Sequence, residues 1–207
     1  MFDDAGRPAA PPVIALDDDP FRLFREWLDQ AKESEPNDPN AMTLATATPN
    51  GVPSARILLL KALDDRGFTF YTNTLSRKGA ELAADPHAAL LFHWKTRRRQ
   101  VRVEGTVESV TAAEADDYFY TRARISRLGA IASDQSQTLP ERSVLEDRVR
   151  EADEKYPGDA VPRPAHWSGY RVLPQNFEFW QDMPFRLHDR TVFTRAGTGW
   201  TAHKLYP

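Results

Sequence analysis

The chain has 207 residues, a formal net charge of -3 and no cysteine. That length suits one domain of ordinary size, and the charge argues against a surface built for nucleic acid. The missing cysteine excludes disulfides, thiolate metal sites and a cysteine nucleophile, and it fits a reducing compartment.

No apolar run reaches the roughly 20 residues that a membrane span needs. Residues 1–16 are acidic and rich in Pro and Ala, without the basic start and apolar core of a signal peptide. A flexible arm and a cytoplasmic location are expected, with residues 17–207 forming one domain. Asp19 can cap a helix that has Pro20 at its first position. Phe21, Phe24, Trp27, Leu28 and Ala31 then recur at helical spacing, which predicts an amphipathic helix over 20–34. A meander of short strands follows: AMTLATA, then PSARILLLKALD as one long strand, then GFTFYTN after a DDRG turn. RILLLK lacks polar alternation, so burial on both faces is expected there.

A helix starts near Ser76 and ends before Pro86, and AALLFHW and RQVRVEGTVESV read as two more strands. Thr111 with Glu114, and Thr138 with Glu141, each match a capping box, predicting helices over 112–122 and roughly 140–155. The end is β again: SGYRVLP, NFEFWQ, RTVFTR and GWTAHKL. About nine strands with a few helices predict a mainly β protein, a closed antiparallel barrel with helices packed outside.

The helix at Ser76 carries Arg77 and Lys78 in its first turn, where a helix dipole favours acidic groups. Two cations there are either ordinary residues of a solvated face or partners of an anion held by the free N–H groups. Arg56 and Lys61 bracket the apolar strand and, five residues apart, would point to opposite faces. Gln100 shares a face with Arg102 and Glu104, and its amide offers the donors and acceptors that a heterocycle edge requires. Tyr118 and Arg122 lie one helical turn apart, with Ser126 in the loop beyond; with a nearby lysine they suit a phosphate monoester. SDQSQT adds a polar loop with Gln135 and Ser136. In RLHDR, an extended backbone would aim Arg186, His188 and Arg190 one way. The five histidines lack HxxxH or HExxH spacing, and no GxSxG elbow occurs.

Taken in order, RILLLK, FYTNTLSRKGAEL, LFHWKTRRRQVRVEG, YFYTRARISRLGA, SDQSQ, HWSGYRVLPQNFEFWQ and RLHDR resemble the pyridoxine/pyridoxamine 5′-phosphate oxidase family over residues 17–207. The resemblance implies an FMN-binding split β-barrel, a homodimer with FMN at the subunit interface. It implies oxidation of pyridoxamine or pyridoxine 5′-phosphate to pyridoxal 5′-phosphate, with O2 reduced to hydrogen peroxide. By the same resemblance Arg56, Ile57, Leu58, Leu59, Leu60, Lys61, Tyr71, Thr72, Arg77, Lys78, Gln100, Gln135, Ser136, Trp180 and Arg190 match FMN contacts. Lys61, Tyr118, Arg122 and Ser126 match the holders of the substrate phosphate. Arg186, Leu187 and His188 match the substrate contacts at the pyridine ring, with Arg186 and His188 as the catalytic pair. The family's N-terminal Arg-x-x-Tyr pattern has no counterpart before Asp17, and Ala123, Arg127 and Ile131 stand where the family commonly has Pro, Gln and Trp. Two other classes compete: a split-barrel flavoenzyme for another substrate, and a non-enzymatic carrier of flavin or pyridoxal phosphate.

Overall fold

The computed structural model describes residues 11–207. Asp19 accepts the Arg22 N–H at 2.7 Å, and Pro20 opens α1 (Pro20–Lys32). The helix ends two residues short of the expected 34. Its apolar stripe, Phe21, Phe24, Trp27, Leu28 and Ala31, is buried throughout. The Phe24 ring meets Phe68 and Phe92 at 4.8 Å each, edge to face, so α1 locks onto the buried face of the sheet.

The described residues form nine antiparallel strands. These are β1 (Ala41–Ala47), β2 (Pro53–Leu59), β3 (Ala62–Leu63), β4 (Phe68–Asn73), β5 (His87–Trp94), β6 (Arg99–Ser109), β7 (Trp167–Gln181), β8 (Asp189–Ala196) and β9 (Gly199–Lys204). Their order is β2-β1-β5-β6-β7-β4-β3, with β8 and β9 continuing from β7. The two strands expected at SGYRVLP and NFEFWQ are one strand, β7, of 15 residues. It pairs with β4 through residues 167–172 and with β8 through residues 176–181, while β6 runs along its other side. The switch falls at a register slip beside Gly105, where a Cβ would lie 2.0 Å from the Leu173 carbonyl oxygen. Pro174 faces that slip, where its missing N–H leaves no ladder bond broken.

The predicted long strand 53–64 divides into β2 and β3. Leu60 donates its N–H to Asn40, beside β1, and Lys61 donates to Thr69 of β4, both at 2.9 Å. One segment therefore touches both ends of the strand order. The barrel is split: covalent continuity joins its edges, and among the described residues no ladder closes it. Burial of RILLLK on both faces is not seen, because β2 has a neighbour on one side only and Ile57 is 64% exposed.

Five helices pack around this sheet. α2 (Arg77–Ala84) follows β4, and α3 (Ala112–Thr121) begins with the predicted Thr111–Glu114 capping box fully formed. α4 (Arg124–Ala132) occupies what the sequence presented as loop around Ser126; its cap, Ala123, has no side chain able to signal a start. α5 (Arg142–Lys155) is one residue past Glu141, and the Thr138–Glu141 box does not form. RLHDR is not extended: Pro184–Arg186 is a 3-10 turn with Phe185 at φ 60° and Arg186 at φ 62°, and β8 starts only at Asp189. The shared aim of Arg186, His188 and Arg190 therefore does not hold. Of the arm expected over 1–16, residues 1–10 lie outside the described residues. Ile14 is buried, its N–H donates to Asp189 at 2.8 Å, and the Pro12 carbonyl accepts from Gln181 at 2.6 Å.

Arg171 of β7 is 4% exposed and gathers Glu114 at 2.7 Å, Glu108 at 3.2 Å and Asp64 at 3.4 Å. Hydrogen bonds from Arg171 and then from Thr111 hold the Glu114 carboxyl at about 2, against an ordinary 4.5. A carboxyl lowered on folding stabilises fully above its unfolded value and loses that contribution as pH falls through the folded one. Urea titrations should therefore show Glu114→Gln less stable than wild type at pH 7, with a shallower loss of stability between about pH 4.5 and pH 2. Parallel curves over that window would remove Glu114 from the acid response.

Candidate functional site

The start of α2 is built from three directions. Ser76 caps the helix, and the loop before it lies so close that a Cβ at Gly79 would be 2.1 Å from the Thr74 carbonyl oxygen. Lys78 is buried and donates to Thr72 Oγ1 at 3.0 Å, Ser76 Oγ at 3.0 Å and Gln135 Oε1 at 2.7 Å. Burial, helped by the charge of Arg56, pushes its ammonium down to about 8, while Glu81 acts the other way. Arg56 reaches in from β2 to Thr46 Oγ1 at 2.7 Å and Glu81 at 3.3 Å. Arg77 donates to Glu81 at 2.9 Å, yet its side chain stays 59% exposed.

Glu81 is 5% exposed. Burial alone would raise its carboxyl, but hydrogen bonds from Ser54 and Thr46 and the contact with Arg77 together hold it at about 2. Two cations thus pair with one carboxylate and a third, Lys78, stands beside them at a helix N-terminus, leaving positive charge and free N–H groups for an anion. A cleft of about 130 Å³ lined by Asn73, Leu75, Asp134, Gln135, Gln137 and His166 opens at the Gln135 side. A larger depression of about 400 Å³ is lined by residues of β1, β5 and β6 that include Ala45, Ala89 and Glu104, and it borders the Glu81 cluster through Thr46.

A second group lies on the other face of β4, where Tyr71 alternates with Thr72. The Tyr71 ring stacks on Tyr118 at 4.2 Å and on Trp167 at 5.4 Å. The Arg122 guanidinium lies 4.8 Å over Trp167, and the Lys61 ammonium 5.9 Å from the Tyr118 ring. Burial lowers the Arg122 guanidinium, and its Nη1 is buried with no partner among the described residues. A half-buried cation with a buried free donor, against an aromatic wall, fits an incoming phosphate. Ser126 stands exposed on the first turn of α4, four residues beyond Arg122.

A third group stands elsewhere. Gln100 pairs with Trp180, and Trp180 with Arg190, across β6, β7 and β8. The His188 ring lies 4.7 Å from Trp180, and His188 Nδ1 lies 3.2 Å from an Asp182 oxygen. Arg190 donates to Glu178 at 2.8 Å. Thr72 opposes Ser168, so Trp180 stands twelve residues farther along β7, roughly 40 Å of extended strand. Arg186 and Leu187 are exposed, as is Ser136 at φ 73°. Of Ile57, Leu58, Leu59 and Leu60, only Leu60 is buried. The chain thus brings together Arg56, Arg77, Lys78, Thr72 and Gln135 in one place, and Lys61, Tyr71, Tyr118 and Arg122 in another. It does not bring Gln100, Trp180, Arg186, His188 and Arg190 to either. Glu81 and Trp167 escaped sequence reasoning. Glu81 carries a weak signal, four residues beyond Arg77, that an ordinary surface pair would share.

A family model described as pyridoxamine 5′-phosphate oxidase matches residues 28–156, and one described as pyridoxine 5′-phosphate oxidase C-terminal dimerisation region matches residues 167–207. The pyridoxine/pyridoxamine 5′-phosphate oxidase of Gluconobacter oxydans is 64% identical over 95% of this chain and 98% of its own. That of Granulibacter bethesdensis is 59% identical over 100% of this chain and 99% of its own. Among solved structures, PhzG from Burkholderia lata in complex with tetrahydrophenazine-1-carboxylic acid superposes with a TM-score of 0.87 at 34% identity, over 95% of this chain and 94% of that one. A pyridoxamine 5′-phosphate oxidase-related, FMN binding protein of Nostoc punctiforme shares the fold at TM-score 0.74 and 17% identity, over 93% of this chain and 100% of that one. A model covering more than half of the chain, and relatives near 60% identity along its length, show that this protein belongs to the pyridoxine/pyridoxamine 5′-phosphate oxidase family.

Proposed function

We propose that this protein oxidises pyridoxamine or pyridoxine 5′-phosphate to pyridoxal 5′-phosphate, with FMN as cofactor and O2 as acceptor, releasing hydrogen peroxide. One observation carries this. Consecutive residues of β4, Tyr71 and Thr72, each join a separate cationic group suited to a phosphate monoester. A flavin mononucleotide and a phosphorylated substrate need two such groups, one for each phosphate.

The donor set at α2 fits a terminal phosphate: the helix start, Arg56, Arg77, Lys78, Thr72 and Gln135 would hold it. Gln100, Trp180 and Arg190 would hold the ring system, with Ser136 and residues 57–60 alongside. When bound, FMN supplies the two-electron redox chemistry. The chain supplies position. Lys61, Tyr118, Arg122 and Ser126 would fix the substrate phosphate, while Arg186, Leu187 and His188 close over the pyridine ring. Consecutive left-handed backbone at Phe185 and Arg186 supports that role, since such strain gathers at functional turns.

The substrate and flavin groups face opposite sides of β4, and the Trp180 group stands at the far end of β7. A complete site therefore needs residues from two chains, which supports a closed homodimer, as does the match to a dimerisation region. Ile57, exposed on the edge strand β2, offers apolar surface for such a contact. Residues 17–207 would act as one unit in the cytoplasm; among the described residues no helix is long and apolar enough to cross a membrane. The likeness to the Burkholderia protein favours a second reading, oxidation of a substrate without phosphate. The unpartnered donor of Arg122 beside Tyr118 and Trp167 weighs against it.

Arg77→Ala with Lys78→Ala should weaken FMN binding, each lost charge-assisted contact costing roughly 1.5–3 kcal/mol. Because Lys78 titrates near 8, wild-type affinity for FMN should fall as pH rises through that value, and the Lys78→Arg protein should lack the fall. Titration of apoprotein with FMN checks both; unchanged affinity in the double variant returns the pair to a solvated face. Arg186→Ala should stay folded and flavin-loaded but lose on the order of a hundredfold in kcat/KM for pyridoxamine 5′-phosphate. Wild-type kinetics in that variant would displace the catalytic turn. Light scattering should give a dimer; a monomer turning over at wild-type efficiency would contradict the shared site.

A further inference from the structure

Arg122, Arg124 and Arg127 stand within one short stretch, yet only Arg122 faces the aromatic wall. The other two grip the far end of α5. Arg124 donates to the carbonyls of Tyr156, at 2.6 Å, and Gly158, and pairs with Asp153. Arg127, 4% exposed, donates to the Asp159 carbonyl at 3.0 Å and pairs with the Asp159 carboxylate. The negative end of the α5 dipole and the carbonyls past it thus receive two guanidinium groups from the first turn of α4.

The other polar ties of α4 lie toward its far end, where His166 Nε2 meets the Ala130 carbonyl at 3.0 Å and Asn73 donates to the Ser133 carbonyl at 3.3 Å. Ala123 gives α4 no side-chain cap. The apolar contacts of α4 belong to a small cluster, Leu128 with Ala152 and Val161, separate from the main core. Ser126 lies between the two arginines in sequence, and Arg122 is only two residues before the helix start.

We propose that Arg124 and Arg127 are positioning residues for the substrate: by clamping α4 to the end of α5 they hold Ser126 and Arg122 at the spacing a phosphate monoester requires. This rests on the assignment of Arg122 and Ser126 to the substrate phosphate. A burial that only stabilised the fold would lower the melting temperature and leave the kinetics alone. A clamp that sets a binding geometry made equally in ground and transition states raises KM with kcat unchanged.

Steady-state kinetics on the FMN-loaded protein with pyridoxamine 5′-phosphate separate the two. Arg127→Met should raise KM about tenfold while kcat stays within about twofold, with flavin content unchanged. Arg127→Lys should recover part of the loss. Asp159→Ala, at a residue whose side chain is 87% exposed, should move KM the same way by a smaller factor, and it decides the matter if Arg127→Met does not fold. Combining Arg127→Met with Ser126→Ala should raise KM by less than the product of the single effects, because one acts through the other. Unchanged KM in Arg127→Met or Asp159→Ala, or fully multiplicative effects in the double variant, overturns the clamp. Unchanged KM in Arg122→Met overturns the substrate-phosphate assignment itself, and the clamp's role with it.

Discussion

A single ionised carboxylate, that of Glu81, holds the start of α2 and the strands beside it in order. Taking a carboxylate out of water is costly unless its lone pairs are filled and its charge is met. Ser54 and Thr46 fill them from β2 and β1, and Arg56 and Arg77 meet the charge from β2 and α2. Three elements, β1, β2 and α2, are thereby tied at one point, and each is needed for the others. The same carboxylate explains how a helix can begin with two cations. It offsets part of their charge but not all of it, and burial, with the charge of Arg56 beside it, makes Lys78 give up its proton more readily.

Around that point the sheet acts as a frame with one long member. β7 touches three strands in turn, and its change of partner depends on a glycine that tolerates contact with Leu173 and a proline that needs no donor. Because β7 is continuous, the groups at its two ends are kept far apart within a chain. Under the function proposed above, a distance that would be a defect in a monomeric enzyme would become the reason for a second subunit.

Elements carrying both a cap and a period were legible in the sequence. α1 has Asp19, Pro20 and an unbroken apolar stripe, and α3 has a capping box that forms as written. α4 was not legible, since alanine at a cap says nothing and its apolar residues serve only a small cluster. The box at Thr138 and Glu141 was a false signal, because a motif of four residues constrains no tertiary contact. Pro174 read as the end of a strand, whereas a slip opposite Gly105 lets the strand pass through. At the site, Lys78 and Arg77 stood out because their charge is wrong for their position. Glu81 did not, because its burial is decided by β1 and β2, which are remote in sequence. RLHDR misled through the assumption of extended backbone, which two left-handed residues overturn.

The segment from Arg56 to Lys61 leaves one edge of the sheet and arrives at the other. Arg56 is held at the Glu81 cluster, and Lys61 reaches the ring of Tyr118. The four residues between them act as a caliper whose opening is counted in peptide units. Ile57, Leu58 and Leu59 need only be apolar and extended, so many side chains would serve there. One residue more or fewer would turn every following side chain to the opposite face and part the two cations from their partners. What is constrained in this stretch is its length, and divergence along it has room for substitution but none for insertion.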